Sequence, residues 1–190
     1  MTSQELNGIW YYFLSLEEDL ANTSRYIEPA GQENVHSYEF AKLLILSCIE
    51  IESVFKAICC EITGRQPEGN IGKYKEIILG KYPKIIEATV FVGRWGIYIK
   101  PLQEWSSGPL TWWGAYQEVK HSRGLHFDQA TYKNAVYALA ALYISIFYLS
   151  KCVGIEFQDH ISNYISSDYS HTTVVFGPTK RLPDFEEISP

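Results

Sequence analysis

Residues 112–127 read Trp-Trp-Gly-Ala-Tyr-Gln-Glu-Val-Lys-His-Ser-Arg-Gly-Leu-His-Phe. Lys120, His121, Arg123 and His126 fall within seven residues there, the densest basic cluster of an acidic chain, and include two of its five histidines. Imidazole titrates near neutral pH, so one histidine can take a proton from an oxygen and another can return one. A guanidinium fork can hold a phosphate or the negative charge that develops on it. Together these groups suit metal-free cleavage of a phosphodiester, with the 2′-hydroxyl of RNA as the internal nucleophile. The same residues have a purely structural reading, as a solvated loop or as ties to Glu50, Glu52 or Glu118 inside a helical protein. Exposure separates the two: a site needs these cations open to solvent, whereas ties bury them against the carboxylates.

Other chemistries find less support. His121 and His126 are five apart, outside the i, i+4 spacing of a helical histidine pair, and no HExxH occurs. His160 and His171 stand alone in the tail, and His36 lies near a helix start. No metal site is expected, and no cofactor. Phosphate-binding and nucleophile-elbow motifs of the Walker A, GxGxxG and GxSxG types are absent. Trp105, Trp112 and Trp113 are either stacking faces for bases or the aromatic end of a core.

These residues need helices to position them. Leu6, Trp10, Phe13, Leu20 and Ile27 recur at helical spacing, which predicts a helix over about 4–28, ended by Pro29-Ala30-Gly31. The strongest pattern is Phe40, Leu44, Cys48, Ile51, Phe55, Ile58 and Ile62, a continuous apolar stripe over 37–63. Ser37 is its N-cap and Gly64 its stop. Glu50 falls on the flank of that stripe, where a carboxylate needs a partner. Residues 64–111 are irregular. They hold a short helical pattern at Ile71–Leu79 and a hairpin formed by 89–92 and 97–99 around Gly93-Arg94-Trp95-Gly96. A further short helix covers about 112–119. Asp128 is the expected N-cap of a last helix over 129–153. After it comes a polar, aromatic tail, 154–190, in which 171–176 reads as a strand able to join the hairpin and 180–190 as extended. The fold class that follows is mainly α: one domain, a bundle of four or more helices with a small β-hairpin insertion before the basic motif.

Composition sets the outer limits. At 190 residues the chain fits one domain, and 16 Lys and Arg against 22 Asp and Glu leave a net charge of −6. That balance argues against general duplex-DNA binding while leaving room for a local basic pocket. The four cysteines show no CxxC spacing and read as reduced thiols within apolar helical stretches. No basic-then-apolar leader opens the chain, so a cytoplasmic location is expected. Asn134–Ser150 runs seventeen residues without a charge, short of the about 20 that a membrane span needs. It reads as a helix buried in the bundle, and no membrane partner is expected.

Ser37-Tyr38-Glu39-Phe40 opens one helix, with Glu50 and Lys56 within it. Trp113, Tyr116, Val119, Lys120, His121 and Arg123 then precede a final apolar helix. Over roughly residues 5–152 this pattern resembles the HEPN superfamily, and is similar to bacterial members with a long insertion before the basic motif. The resemblance implies a bundle that dimerises, and an RNA- or nucleotide-linked role in a bacterial defence or stress system. Active members are metal-independent ribonucleases, and others bind nucleotide or partner proteins without catalysis. Carried over to this chain, Arg123 would hold phosphate, His121 or His126 would serve as acid and base, and Glu50 would orient one of them. Lys120, Tyr116 and Trp113 would support binding. Active members have four to six residues between Arg and His, whereas two separate Arg123 from His126, and neither Arg65 nor Arg94 has a histidine at the required distance. Two alternatives stand beside this one. The first is a non-catalytic protein-interaction module with a degenerate site. The second is a small-molecule binder that uses the aromatic connection around Trp95, Trp105 and Trp112.

Overall fold

The apolar stripes of the sequence form five α-helices in the computed structural model, which describes residues 1–93, 95–155 and 176–178. They are α1 (Ser3–Thr23), α2 (Tyr38–Thr63), α3 (Ile71–Lys81), α4 (Thr111–Ser122) and α5 (Tyr132–Val153). Three short strands, β1 (Val90–Val92), β2 (Ile97–Ile99) and β3 (Phe176–Pro178), make an antiparallel sheet in the order β2-β1-β3. The protein is mainly α, a helical bundle with a small sheet inserted before the basic segment.

Helix α2 is delimited as its sequence predicts. The Ser37 hydroxyl accepts the Phe40 N–H at 3.1 Å. Gly64 takes the left-handed conformation (φ 71°) and donates its N–H to the Cys60 carbonyl at 2.8 Å. Phe40, Leu44, Cys48, Ile51, Phe55 and Ile58 are all fully buried. Its most extensive partner is α5. The two run parallel, because an antiparallel bridge between His36 and Thr131 and a Phe40–Tyr132 ring contact at 5.4 Å join their first turns. Helix α1 runs the other way, with its start beside Glu61 and Asp19 bound to Lys42 at 3.0 Å. Trp10 and Phe13 bring it onto Tyr143 of α5.

Helix α5 is apolar and long enough to cross a membrane by length and composition alone, but 72% of its most apolar window is buried inside the bundle. Ala135, Ala138, Ala140 and Ala141 are fully buried and keep its middle slim, so neighbouring helices approach closely.

Helix ends depart from expectation where tertiary contacts compete. Helix α1 stops at Thr23 rather than near 28. The Thr23 and Ser24 hydroxyls donate to the Leu20 and Ala21 carbonyls, and the chain turns away with Tyr26 in solvent. Helix α5 starts at Tyr132, capped by Thr131 and not by Asp128, which lies in a 3-10 turn, Phe127–Gln129. The Thr131 hydroxyl accepts the Asn134 N–H at 3.1 Å. The Tyr132 and Lys133 N–H groups donate to the Val35 and Glu33 carbonyls at 2.8 and 3.0 Å. Helix α4 runs to Ser122 rather than 119, so Lys120 and His121 are helical.

The insertion holds α3, the expected hairpin, with Phe91 opposite Tyr98, and 3-10 turns at Pro83–Glu87 and Gln103–Ser106. Strand β3 pairs with the free side of β1, with Phe91 opposite Gly177. Of the expected strand over 171–176, only Phe176 is described, within β3; residues 171–175, the extended segment 180–190, Arg94, His160 and His171 lie outside the described residues.

The second 3-10 turn sets α4. Leu110 has no capping side chain, and Glu104 substitutes. Its carboxylate accepts the Thr111 N–H at 2.6 Å and the Thr111 hydroxyl at 2.7 Å. The Trp112 indole N–H, buried, donates to the Pro101 carbonyl at 2.8 Å. Glu104→Ala should therefore cost about 1 kcal/mol, by analogy with N-cap losses, and lower Tm by about 2–4 °C for a domain of this size. Glu104→Gln, which keeps an acceptor, should lose less. Thermal melts by circular dichroism check this, and an unchanged Tm in Glu104→Ala would remove Glu104 as the cap.

Candidate functional site: the basic turn between α4 and α5

The basic residues occupy the last turn of α4 and the turn that follows. Lys120 and His121 lie where the carbonyl end of α4 favours positive charge. Arg123 is the C-cap, and the chain then folds back, with the Leu125 and His126 N–H groups donating to the Ser122 carbonyl at 2.9 and 3.1 Å. Lys120, His121 and Arg123 are exposed, and His126 is half-buried. The His126 Nδ1 lies 3.8 Å from Glu118 Oε2.

The carboxylates named for structural ties are elsewhere, Glu118 excepted. Glu52 pairs with Lys56 at 2.8 Å along α2. Glu50 sits twelve residues, or about 18 Å, along α2 from Tyr38, the α2 residue that Arg123 covers. It faces Tyr12 of α1, whose hydroxyl is pushed up first by burial and then by the Glu50 charge. The expectation that Glu50 orients a histidine of the basic segment is therefore corrected: the pitch of α2 carries it away from that end. Among the described residues, no carboxylate lies within 4.0 Å of Lys120, His121 or Arg123.

Trp113 and Tyr116 lie beneath the site. Tyr116 is fully buried, Trp113 nearly so, and the rings meet edge-on at 5.0 Å. Lys120 Nζ lies 5.3 Å from the Tyr116 ring centroid, so the aromatic pair seats the lysine rather than meeting a ligand. The Tyr116 hydroxyl has no hydrogen-bond partner among the described residues. Trp105 and Trp112 are core residues at 3% and 1% exposure, and offer no face to a base. Trp95 is half-buried and donates to Glu33 at 3.2 Å. A groove of about 430 Å³ beside the insertion is lined by Tyr98, Lys100, Gln103, Glu104 and Tyr137 among others, and by none of these tryptophans.

The residues that sequence reasoning left out of the site are aromatic. Arg123 Cζ lies 5.9 Å over the ring of Tyr38. Tyr38 packs on Phe127 at 4.7 Å, and His36 meets Phe127 edge-on at 5.2 Å. Tyr38 and Arg123 are 85 residues apart in the chain, so no local spacing could have joined them. Their only sequence-level signal is that each adjoins a helix terminus.

The four cysteines are free, with Cys48 and Cys59 buried, and burial pushes the Cys59 thiol up to about 11, which leaves it inert. The described residues hold no group of three or more metal-ligating side chains.

Burial also raises the Glu50 carboxyl above its ordinary 4.5. Between that value and the raised one the folded state holds more protons than the unfolded chain, so stability falls as pH rises through the window. Glu50→Gln should therefore raise Tm at pH 7, with the gain shrinking below about pH 4, where the wild-type carboxyl is neutral as well. Melts at the two pH values check this, and an equal gain at both would exclude the buried charge as its source. No known family model matches the chain, and neither a curated protein nor a solved structure is significantly similar to it, so the chemistry of this site rests on its own residues.

Proposed function

We propose that the basic turn between α4 and α5 binds the phosphates of RNA or of a nucleotide, in a HEPN-like protein of a bacterial defence or stress system. The observation that carries this reading is the exposure of Lys120, His121 and Arg123 with no carboxylate partner among the described residues. A structural role would have spent those charges on Glu50 or Glu52. In an acidic protein, two open cations and an exposed imidazole at this helix end form a local anion site that the net charge conceals.

The catalytic form of the proposal is metal-independent RNA cleavage. One histidine takes the proton of a 2′-hydroxyl as that oxygen attacks phosphorus. Arg123 holds the charge on the non-bridging oxygens. The other histidine protonates the departing 5′-oxygen, leaving a 2′,3′-cyclic phosphate. His126 lies beside Glu118 and His121 is exposed, and either ring can take either role. A homodimer in which two such turns face each other would supply a second set of cations. A non-catalytic interaction module is the competing form, and the two-residue spacing between Arg123 and His126 favours it.

The test is incubation of tRNA and of an unstructured RNA with the protein in EDTA, with binding followed in parallel by fluorescence anisotropy. The proteins compared are the wild type, Arg123→Ala, and an Arg123→Ala/His121→Ala/His126→Ala variant of equal helicity. Wild-type cleavage should fall by about 10²–10³-fold in Arg123→Ala and vanish in the triple variant. Binding without cleavage, lost in the triple variant, would select the non-catalytic form. Neither binding nor cleavage by the folded wild type would overturn the proposal.

A further inference from the structure

We infer that Tyr38 is the stacking platform for an unpaired base, beside the phosphate-holding Arg123, which makes single-stranded RNA the ligand of this end of the bundle. The inference rests on the RNA reading of the same site. Its own support is a cluster drawn from three segments: His36 from the α1–α2 loop, Tyr38 at the start of α2, and Arg123 with Phe127 from the α4–α5 turn.

Tyr38 is 74% exposed, although its ring lies 4.7 Å from that of Phe127. A tyrosine usually buries most of its ring, so this one contributes little to folding. Half-buried Phe127, which touches both His36 and Tyr38, already ties the turn to α2. What Tyr38 adds is a flat apolar face held next to a guanidinium. Base and phosphate in a nucleotide are separated by one sugar, and a ring and an arginine fork in contact offer matching partners to the two. Stacking on a tyrosine needs a base free of its helix, and tolerates any base, because each has a π-face. Leu125 on the same turn is 82% exposed. Trp113 cannot take this role, since its faces are buried.

Two short strands of equal charge test this. One is a 2′-O-methyl oligoadenylate, which resists internal cleavage. The other has the same backbone with abasic residues. Anisotropy titrations should give the wild type about 5- to 150-fold tighter binding to the base-bearing strand, the range expected for stacking one base. Tyr38→Ala should reduce that preference to near one, and Tyr38→Phe should keep it. Circular dichroism verifies the fold of each variant. Equal binding of the two strands by the wild type, with both weakened by Arg123→Ala, would overturn the stacking role and leave phosphate binding standing. A preference that survives in Tyr38→Ala would also overturn it. Absence of binding to either strand would remove the RNA reading and this inference together.

Discussion

The bundle depends on how the first turn of α5 satisfies its backbone. A helix opens with N–H groups that have no partner inside it. Here two of them, on Tyr132 and Lys133, donate to the Val35 and Glu33 carbonyls of the α1–α2 loop, and a third, on Asn134, goes to Thr131. The Ser37 N–H returns a bond to Ala130 at 3.3 Å. These bonds pin the start of α5 to the start of α2. Tyr132 is buried, and its N–H left unpaired there would cost about 1–3 kcal/mol.

That tie decides the polarity of the molecule. With α2 and α5 starting together, α4 must run against both, and its carbonyl end arrives beside their amide ends. Opposed helix ends attract, and Lys120 adds charge of the sign that the end of α4 favours. Arg123 and Phe127 are then delivered onto Tyr38, which heads α2. The basic turn is therefore a consequence of packing as much as of local sequence. A register shift of one turn between α2 and α5 would separate Arg123 from Tyr38 while leaving both helices intact.

A helical bundle hosts many chemistries, so the fold does not single out one of them. The functional reading stands on which charges the fold left unused. Glu52 and Lys56 neutralise each other along α2, and Lys42 bridges Asp19 and Glu39. The cations of the α4–α5 turn have no such arrangement among the described residues. Lys120 and Arg123 lie instead over aromatic faces, those of Tyr116 and Tyr38. An aromatic neighbour orients a cation without neutralising it, so the charge stays available to an anion.

Reading the sequence by itself determined the helices, because a buried face repeats every 3.6 residues and a Ser or Gly at its end has a local reason to be there. The α2 stripe from Phe40 to Ile58, its Ser37 cap and Gly64 stop, the hairpin and the basic segment were all legible in this way. Only the tertiary structure decided where helices yield to long-range hydrogen bonds and which side chains meet. It moved the start of α5 from Asp128 to Thr131, since Val35 and Glu33 lie almost a hundred residues upstream. It gave the N-terminus of α4 to Glu104, a carboxylate with no capping signature of its own. It also sent Glu50 towards Tyr12 and brought Tyr38 under Arg123, because distance along a helix is set by its rise, whereas distance between helices is set by packing alone.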